Sequence, residues 1–184
     1  MKKDTLLQFV CFETTLGLDA FAPLWEHFVK DSGTKGPKTI ILQEAQLKSK
    51  YKYVSEHIWP QDDFQFVFMK RGRQSEQFPE TGIKVIQAGG YIPLIIGDKK
   101  SNNNEDLVKI MVFTTNSRTD ISFLSNLPCN NLNVYEAYYE SSMYAYILEY
   151  FVLETQSADL LQQLKANVTA AEIAIYRECL VPAL

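Results

Sequence analysis

Histidine is nearly absent from this chain, and its scarcity excludes much of the chemistry a protein of this size can carry. Only His27 and His57 occur in 184 residues. There is no His-Glu-x-x-His pattern, no histidine-rich metal centre fits, and a nucleophilic triad would have to use one of these two rings. Cysteine is equally sparse. Cys11, Cys129 and Cys179 are odd in number, widely spaced and mostly flanked by apolar residues, which reads as reduced thiols rather than a disulfide framework or metal site. The eight glycines form no dinucleotide or phosphate loop. Gly89-Gly90 precedes a Tyr-Ile-Pro run without strand-to-helix context and is read as a turn.

Charge of one sign is also lacking. The net charge is −4, and the densest basic stretch is Lys70-Arg71-Gly72-Arg73, so no nucleic-acid partner is expected. Long apolar runs are missing at the start, where Met1-Lys2-Lys3-Asp4 leads into a strand-like segment too short and too polar for a secretory signal or a membrane span. These features predict a cytoplasmic protein with no membrane partner, in which the Asn167-Val168-Thr169 sequon goes unused.

Aromatic residues are abundant, with ten Tyr and eleven Phe. Many recur at alternating positions, which predicts wide sheet faces filled by rings. Thr5 to Glu13 reads as a strand, and Phe21, Leu24, Trp25 and Phe28 follow at helical spacing, with Asp19 as N-cap and Gly33 as stop. Thr39 to Leu47 and Tyr51 to Ile58 form a hairpin across Lys48-Ser49-Lys50. Pro60 opens a second helix, with Asp62 and Asp63 in its first turn, and Ile83 to Gln87 is a fourth strand. The order is βαββαβ.

Gly97 to Glu105 has the composition of a solvated linker. Beyond it the order recurs: strand 107–114, short helix 119–127, hairpin 133–140 with 144–153, a helix capped by Ser157, and strand 172–178. A four-stranded sheet with helices on one face leaves its other face bare, and a second copy is the remedy. We therefore expect an α+β protein of two tandem βαββαβ units, over residues 1–97 and 106–184 with a linker at 98–105, closing one barrel.

The segment Tyr53-Val54-Ser55-Glu56-His57-Ile58-Trp59-Pro60-Gln61-Asp62-Asp63-Phe64 resembles the dimeric α/β-barrel superfamily, in particular antibiotic-biosynthesis-monooxygenase-like domains. In these domains the third strand ends in a Trp that leads into an acidic helix start and an aromatic. The resemblance covers residues 5 to 90 and is topological for 105 to 180. It implies ferredoxin-like units whose sheets pair into a barrel, usually as homodimers and sometimes as fused repeats. Here it implies an intramolecular barrel, present as a monomer or as a homodimer of fused barrels. The family includes cofactor-independent monooxygenases, haem-degrading enzymes, isomerase-like and dehalogenase-like proteins. The haem-degrading branch places an Asn on the first strand, a Trp in the second helix and a His further along it. This chain has Gln8, no Trp from Phe64 to Lys70 and no His after His57, so no cofactor and no metal are expected. Trp59 matches the family's packing Trp.

Alternation groups His57 with Tyr53 and Ser55, on the side expected to face the barrel, and makes His57 the candidate general base. The second half contributes Glu136 and Tyr138 from one strand, Tyr146 and Tyr150 from the next, and Arg177 from the last as a partner for a carboxylate or an anionic ligand. His27, beside Glu26, reads as a solvated surface residue. The expectation is a barrel that binds a small aromatic or polyketide-like molecule, with cofactor-independent monooxygenase-like chemistry. The alternative is a non-catalytic ligand-binding or structural protein whose barrel is filled by side chains. An interior cavity of at least ~300 Å³ containing His57 separates the two.

Overall fold

Alternating apolar segments bounded by polar turns make eight strands. The computed structural model describes residues 5–31, 38–46, 48–60, 81–97, 107–115, 122, 125, 127, 128, 131–139 and 142–179. Its elements are β1 (Thr5–Thr14), α1 (Leu18–Asp31), β2 (Lys38–Glu44), β3 (Tyr53–Pro60), β4 (Ile83–Ile95), β5 (Leu107–Thr114), β6 (Leu132–Ala137), β7 (Tyr146–Leu153), α2 (Glu154–Asn167) and β8 (Glu172–Cys179). Every pairing is antiparallel, and the sheet closes on itself in the order β1-β3-β2-β8-β5-β7-β6-β4. The first four strands lie together as β4-β1-β3-β2 and the last four as β8-β5-β7-β6. The β2–β8 and β4–β6 pairings seal the ring. Closure leaves no free sheet edge around the ring.

Both faces of the ring are buried, which explains the aromatic content. The inner face draws on all eight strands, among them Leu7, Phe9, Leu42, Val54, Tyr91, Met111, Tyr135, Ile147 and Tyr176, and among the described residues it includes no helical one. An eight-stranded barrel is just wide enough for side chains to fill. The outer face has two layers. Phe21 and Trp25 of α1 pack on Val10, Phe12, Ile41 and Tyr53, and Leu161 and Leu164 of α2 pack on Val108, Ile110, Val134, Leu148 and Tyr150. Burying the Phe21 and Trp25 rings removes about 150–250 Å² each from water, roughly 4–6 kcal/mol of gross stabilisation per ring.

Several local expectations change. Gly89-Gly90 is not a turn but the middle of β4, which runs unbroken from Ile83 to Ile95. A Cβ at Gly89 would lie 2.6 Å from Gln87 Nε2 and 2.9 Å from a Tyr91 ring carbon, so glycine there makes room for the Tyr91 ring inside the barrel. Ser157 does not cap α2. The helix begins three residues earlier, directly after β7, and the Ser157 hydroxyl donates to the Glu154 carbonyl at 2.6 Å. Pro60 ends β3. The expected second helix, most of the 119–127 helix, the 98–105 linker and Cys129 lie outside the described residues. No described helix is long and apolar enough to cross a membrane.

Candidate functional site

The candidate residues from the first half lie on the outer face. Tyr53 stacks on Phe21 of α1 with ring centroids 4.1 Å apart, and its hydroxyl donates to the Leu16 carbonyl. His57 is fully buried between Trp25 and Trp59, with Ser55 Oγ 2.9 Å from Nε2 and Thr39 Oγ1 3.1 Å from Nδ1. The Trp59 indole donates to Gln8 Oε1 at 3.0 Å. The expectation that Tyr53, Ser55 and His57 face the barrel interior is therefore corrected. Period-two alternation separates two faces but cannot name the inner one when both are buried.

The second-half candidates share the outer face and are dispersed. Tyr146 and Tyr150 lie in the layer beneath α2. Glu136 has the parity of Val134, which belongs to that layer, and is half-buried. Tyr138 packs with Tyr139 against Leu6 and Trp59. Arg177 is exposed and pairs with Glu154 at the start of α2. His27 is exposed, as expected.

The interior instead holds an ionic cluster that the sequence reading passed over. Lys109 of β5 reaches Glu56 of β3 at 2.5 Å and Glu149 of β7 at 3.4 Å. The Tyr135 hydroxyl donates to Glu149 at 2.8 Å, and the Asn133 amide donates to Glu149 at 3.3 Å and to the Tyr135 hydroxyl at 3.1 Å. Asn133 Oδ1 in turn accepts from the Gly97 backbone N–H. The Lys109 ammonium also lies 5.3 Å from the centre of the Phe151 ring, a cation–π distance. Side-chain exposure is 8% for Lys109, 6% for Glu56 and 2% for Glu149. These are ionisable groups in a buried interior.

Two carboxyls sharing one ammonium cannot both remain comfortably ionised, and their surroundings decide which keeps the proton. Burial and the neighbouring Glu149 charge push Glu56 up to about 8, against the pull of Lys109. Burial also opposes ionisation of Glu149, but Lys109, Tyr135 and Asn133 outweigh it and hold that carboxyl below its ordinary value. Glu149 has three donors where Glu56 has one, so the proton sits on Glu56 at neutral pH. The two carboxylates outweigh the burial of Lys109 and raise its pKa, and burial followed by the Glu149 charge raises that of Tyr135.

Towards the end of the barrel where β1 and β5 finish, the interior changes character. Tyr51 and Tyr144 share a short hydrogen bond, the Tyr91 hydroxyl donates to the Tyr144 carbonyl at 3.2 Å and accepts from Gln87 at 3.1 Å, and the Tyr176 hydroxyl donates to the Tyr51 carbonyl at 3.1 Å. Phe113, Cys11 and Ile147 fill the gaps. Burial pushes the Cys11 thiol and the Tyr51 and Tyr91 phenols well up. The result is a neutral plug.

No protein-family model and no curated protein matches the sequence. Solved structures do match its fold. An anthrone oxidase-like protein aligns at a TM-score of 0.61 with 11% identity, covering 100% of this chain and 98% of that one. A putative chlorite dismutase aligns at 0.53 with 10% identity, covering 95% and 94%. A cyanide complex of a mutant chlorite dismutase from Candidatus Nitrospira defluvii aligns at 0.54 with 8% identity, covering 97% and 92%. The class this defines is structural: a closed eight-stranded antiparallel α+β barrel, the fold that the chain shares with these solved structures. At such identities the likeness carries the fold and no activity.

Proposed function

We propose that this protein binds a small aromatic or polyketide-like molecule at the ionic cluster and oxidises it in a cofactor-independent, monooxygenase-like reaction. The observation that carries this reading is the buried Glu56–Lys109–Glu149 set. Replacing buried ionic groups by apolar side chains of similar volume is often neutral or stabilising, so stability alone does not account for three ionisable groups inside an apolar barrel. A carboxyl whose pKa lies near the working pH is suited to exchanging a proton with a substrate. In this mechanism the Glu56 carboxylate removes a proton from an acidic CH₂ flanked by aromatic or carbonyl groups, and the Lys109 ammonium stabilises the resulting enolate or phenolate. The carbanion passes its electrons to O₂. The CH₂ becomes a carbonyl, one oxygen atom is incorporated and the other leaves as water. Glu149, fixed by Tyr135 and Asn133, holds Lys109 in place.

The anthrone oxidase-like neighbour suggests anthrone as the first substrate to test. Oxygen uptake with anthrone should exceed the background rate, rise with pH to a plateau above about 8 as Glu56 ionises, and fall about 100-fold or more in Glu56→Gln. A wild-type rate equal to background, or an undiminished Glu56→Gln rate, would sink the assignment.

One observation favours a second reading, a barrel filled by its own side chains that binds nothing. Leu7, Phe9, Leu42, Val54, Tyr91, Met111 and Tyr135 are all buried inside the ring, each 4% exposed or less. Saturable binding of anthrone by the wild type, weakened in Phe9→Trp, would exclude it.

The tandem organisation belongs with this proposal. Two βαββαβ units at 1–97 and 106–184, joined by a linker at 98–105, would each contribute four neighbouring strands. The matching local orders β4-β1-β3-β2 and β8-β5-β7-β6 support that reading. In it Glu56 comes from the first unit and Lys109 and Glu149 from the second.

A further inference from the structure

Outside the tyrosine plug, where β1 and β5 finish, a cleft of about 580 Å³ is lined in part by Thr14, Thr15, Ser49, Lys50, Lys52 and Lys84. Its walls are pinned. Thr14 Oγ1 donates to the Gly82 carbonyl and accepts from the Leu16 backbone N–H, tying the end of β1 to the start of β4. Ser49 Oγ accepts from the Tyr51 N–H and bonds to the Tyr176 hydroxyl, tying the β2–β3 turn to β8.

The charges in the cleft do not balance. Lys52 Nζ donates to the Thr15 carbonyl at 3.1 Å and lies 5.8 Å from the Tyr53 ring centre, and Lys50 Nζ lies 5.8 Å from that of Tyr51. Neither ammonium has a carboxylate within ion-pair distance among the described residues. Two carboxylates share the cleft. Glu44 is already satisfied, since its two oxygens accept from the Gln46 and Lys48 backbone N–H groups. Glu13 meets Lys84 only at 3.8 Å in an exposed pair, an arrangement that contributes little. Three ammoniums face two carboxylates across a cleft of ligand size, and two of the three lie near aromatic rings and outside ion-pair distance of the carboxylates among the described residues.

We propose that this cleft binds a small multiply charged anion, a phosphate ester or polycarboxylate, through the Lys50 and Lys52 ammoniums. The site is separate from the ionic cluster and stands or falls independently of the oxidation. Calorimetric titration of the full chain with tripolyphosphate, and separately with citrate, tests it. Saturable binding that weakens as sodium chloride rises is expected, with affinity lost about tenfold or more in the double variant Lys50→Ala/Lys52→Ala. Binding of tripolyphosphate alone identifies a phosphate ligand, of citrate alone a polycarboxylate, and of both the shared charge chemistry. Absence of binding by either anion at millimolar concentration, or equal binding by wild type and double variant, overturns the proposal. The double variant keeps the oxidation rate of the wild type, so failure here is distinguishable from failure of the proposed activity.

Discussion

The two tiers of the barrel interior are built by opposite means. The far tier, from Tyr51 to Tyr176, buries phenols and satisfies them with one another's hydroxyls and with backbone carbonyls, so it remains neutral. The other tier buries Lys109, Glu56 and Glu149, and its charges depend on one another. A neutral hydrogen bond can be lost singly at modest cost, whereas one member of a buried ion network cannot. The first tier is therefore a robust plug. The second is a set of groups poised between protonation states, which is what proton chemistry requires.

The comparison breaks most visibly at Lys109. Lys109→Met leaves two buried carboxyls facing each other without a cation, and chemical denaturation should register a loss of about 3–5 kcal/mol at neutral pH. Replacing Glu56 and Glu149 by Gln in that background should recover much of the loss, because no uncompensated charge then remains. A second effect is read from pH. The folded-state pKa of Glu56 lies above its unfolded value of about 4.5. Its contribution to stability is therefore complete below that value and is lost as pH rises to about 8, at up to roughly 1.4 kcal/mol per pH unit. Glu56→Gln, which cannot ionise, should flatten this slope and be more stable than wild type at pH 8 and above. The smallest effect belongs to the plug. Tyr144→Phe removes one hydroxyl from the shared bond with Tyr51 and should cost about 0.5–1.5 kcal/mol with no change in the pH slope. A Tyr144→Phe loss as large as that of Lys109→Met would erase the distinction between the tiers.

How much of this was readable beforehand follows from the same physics. The strands β1, β2 and β3 lie within a few residues of the spans that alternation and turn composition predict, whereas β4 runs on eight residues past Gln87. The inner and outer faces were not separable, because α1 covers Tyr53, Ser55 and His57 as completely as the barrel covers Val54, Glu56 and Ile58. Polarity then pointed the wrong way: the His57 ring is satisfied by Ser55 and Thr39 within a helix–sheet layer. The cluster did leave a trace in the sequence. Lys109 and Glu149 are lone charges inside the otherwise apolar runs Leu107–Thr114 and Tyr146–Leu153. A single charge in the middle of a fully buried strand calls for a partner across the barrel. Which strands supply that partner depends on long-range pairing that no local pattern encodes. Gly89 was obscure for a related reason, since its need for space comes from the packing of the Tyr91 ring.

The claim that the interior is a proton-handling site is tested most directly by following the glutamate side-chain carboxyls by carbon-13 NMR as pH is raised from 3 to 10. The account predicts one carboxyl that titrates near 8, is absent from Glu56→Gln and returns towards the ordinary glutamate range when the chain is unfolded. A protein in which every glutamate has ionised by pH 6, with no resonance lost in Glu56→Gln above that pH, would contradict it.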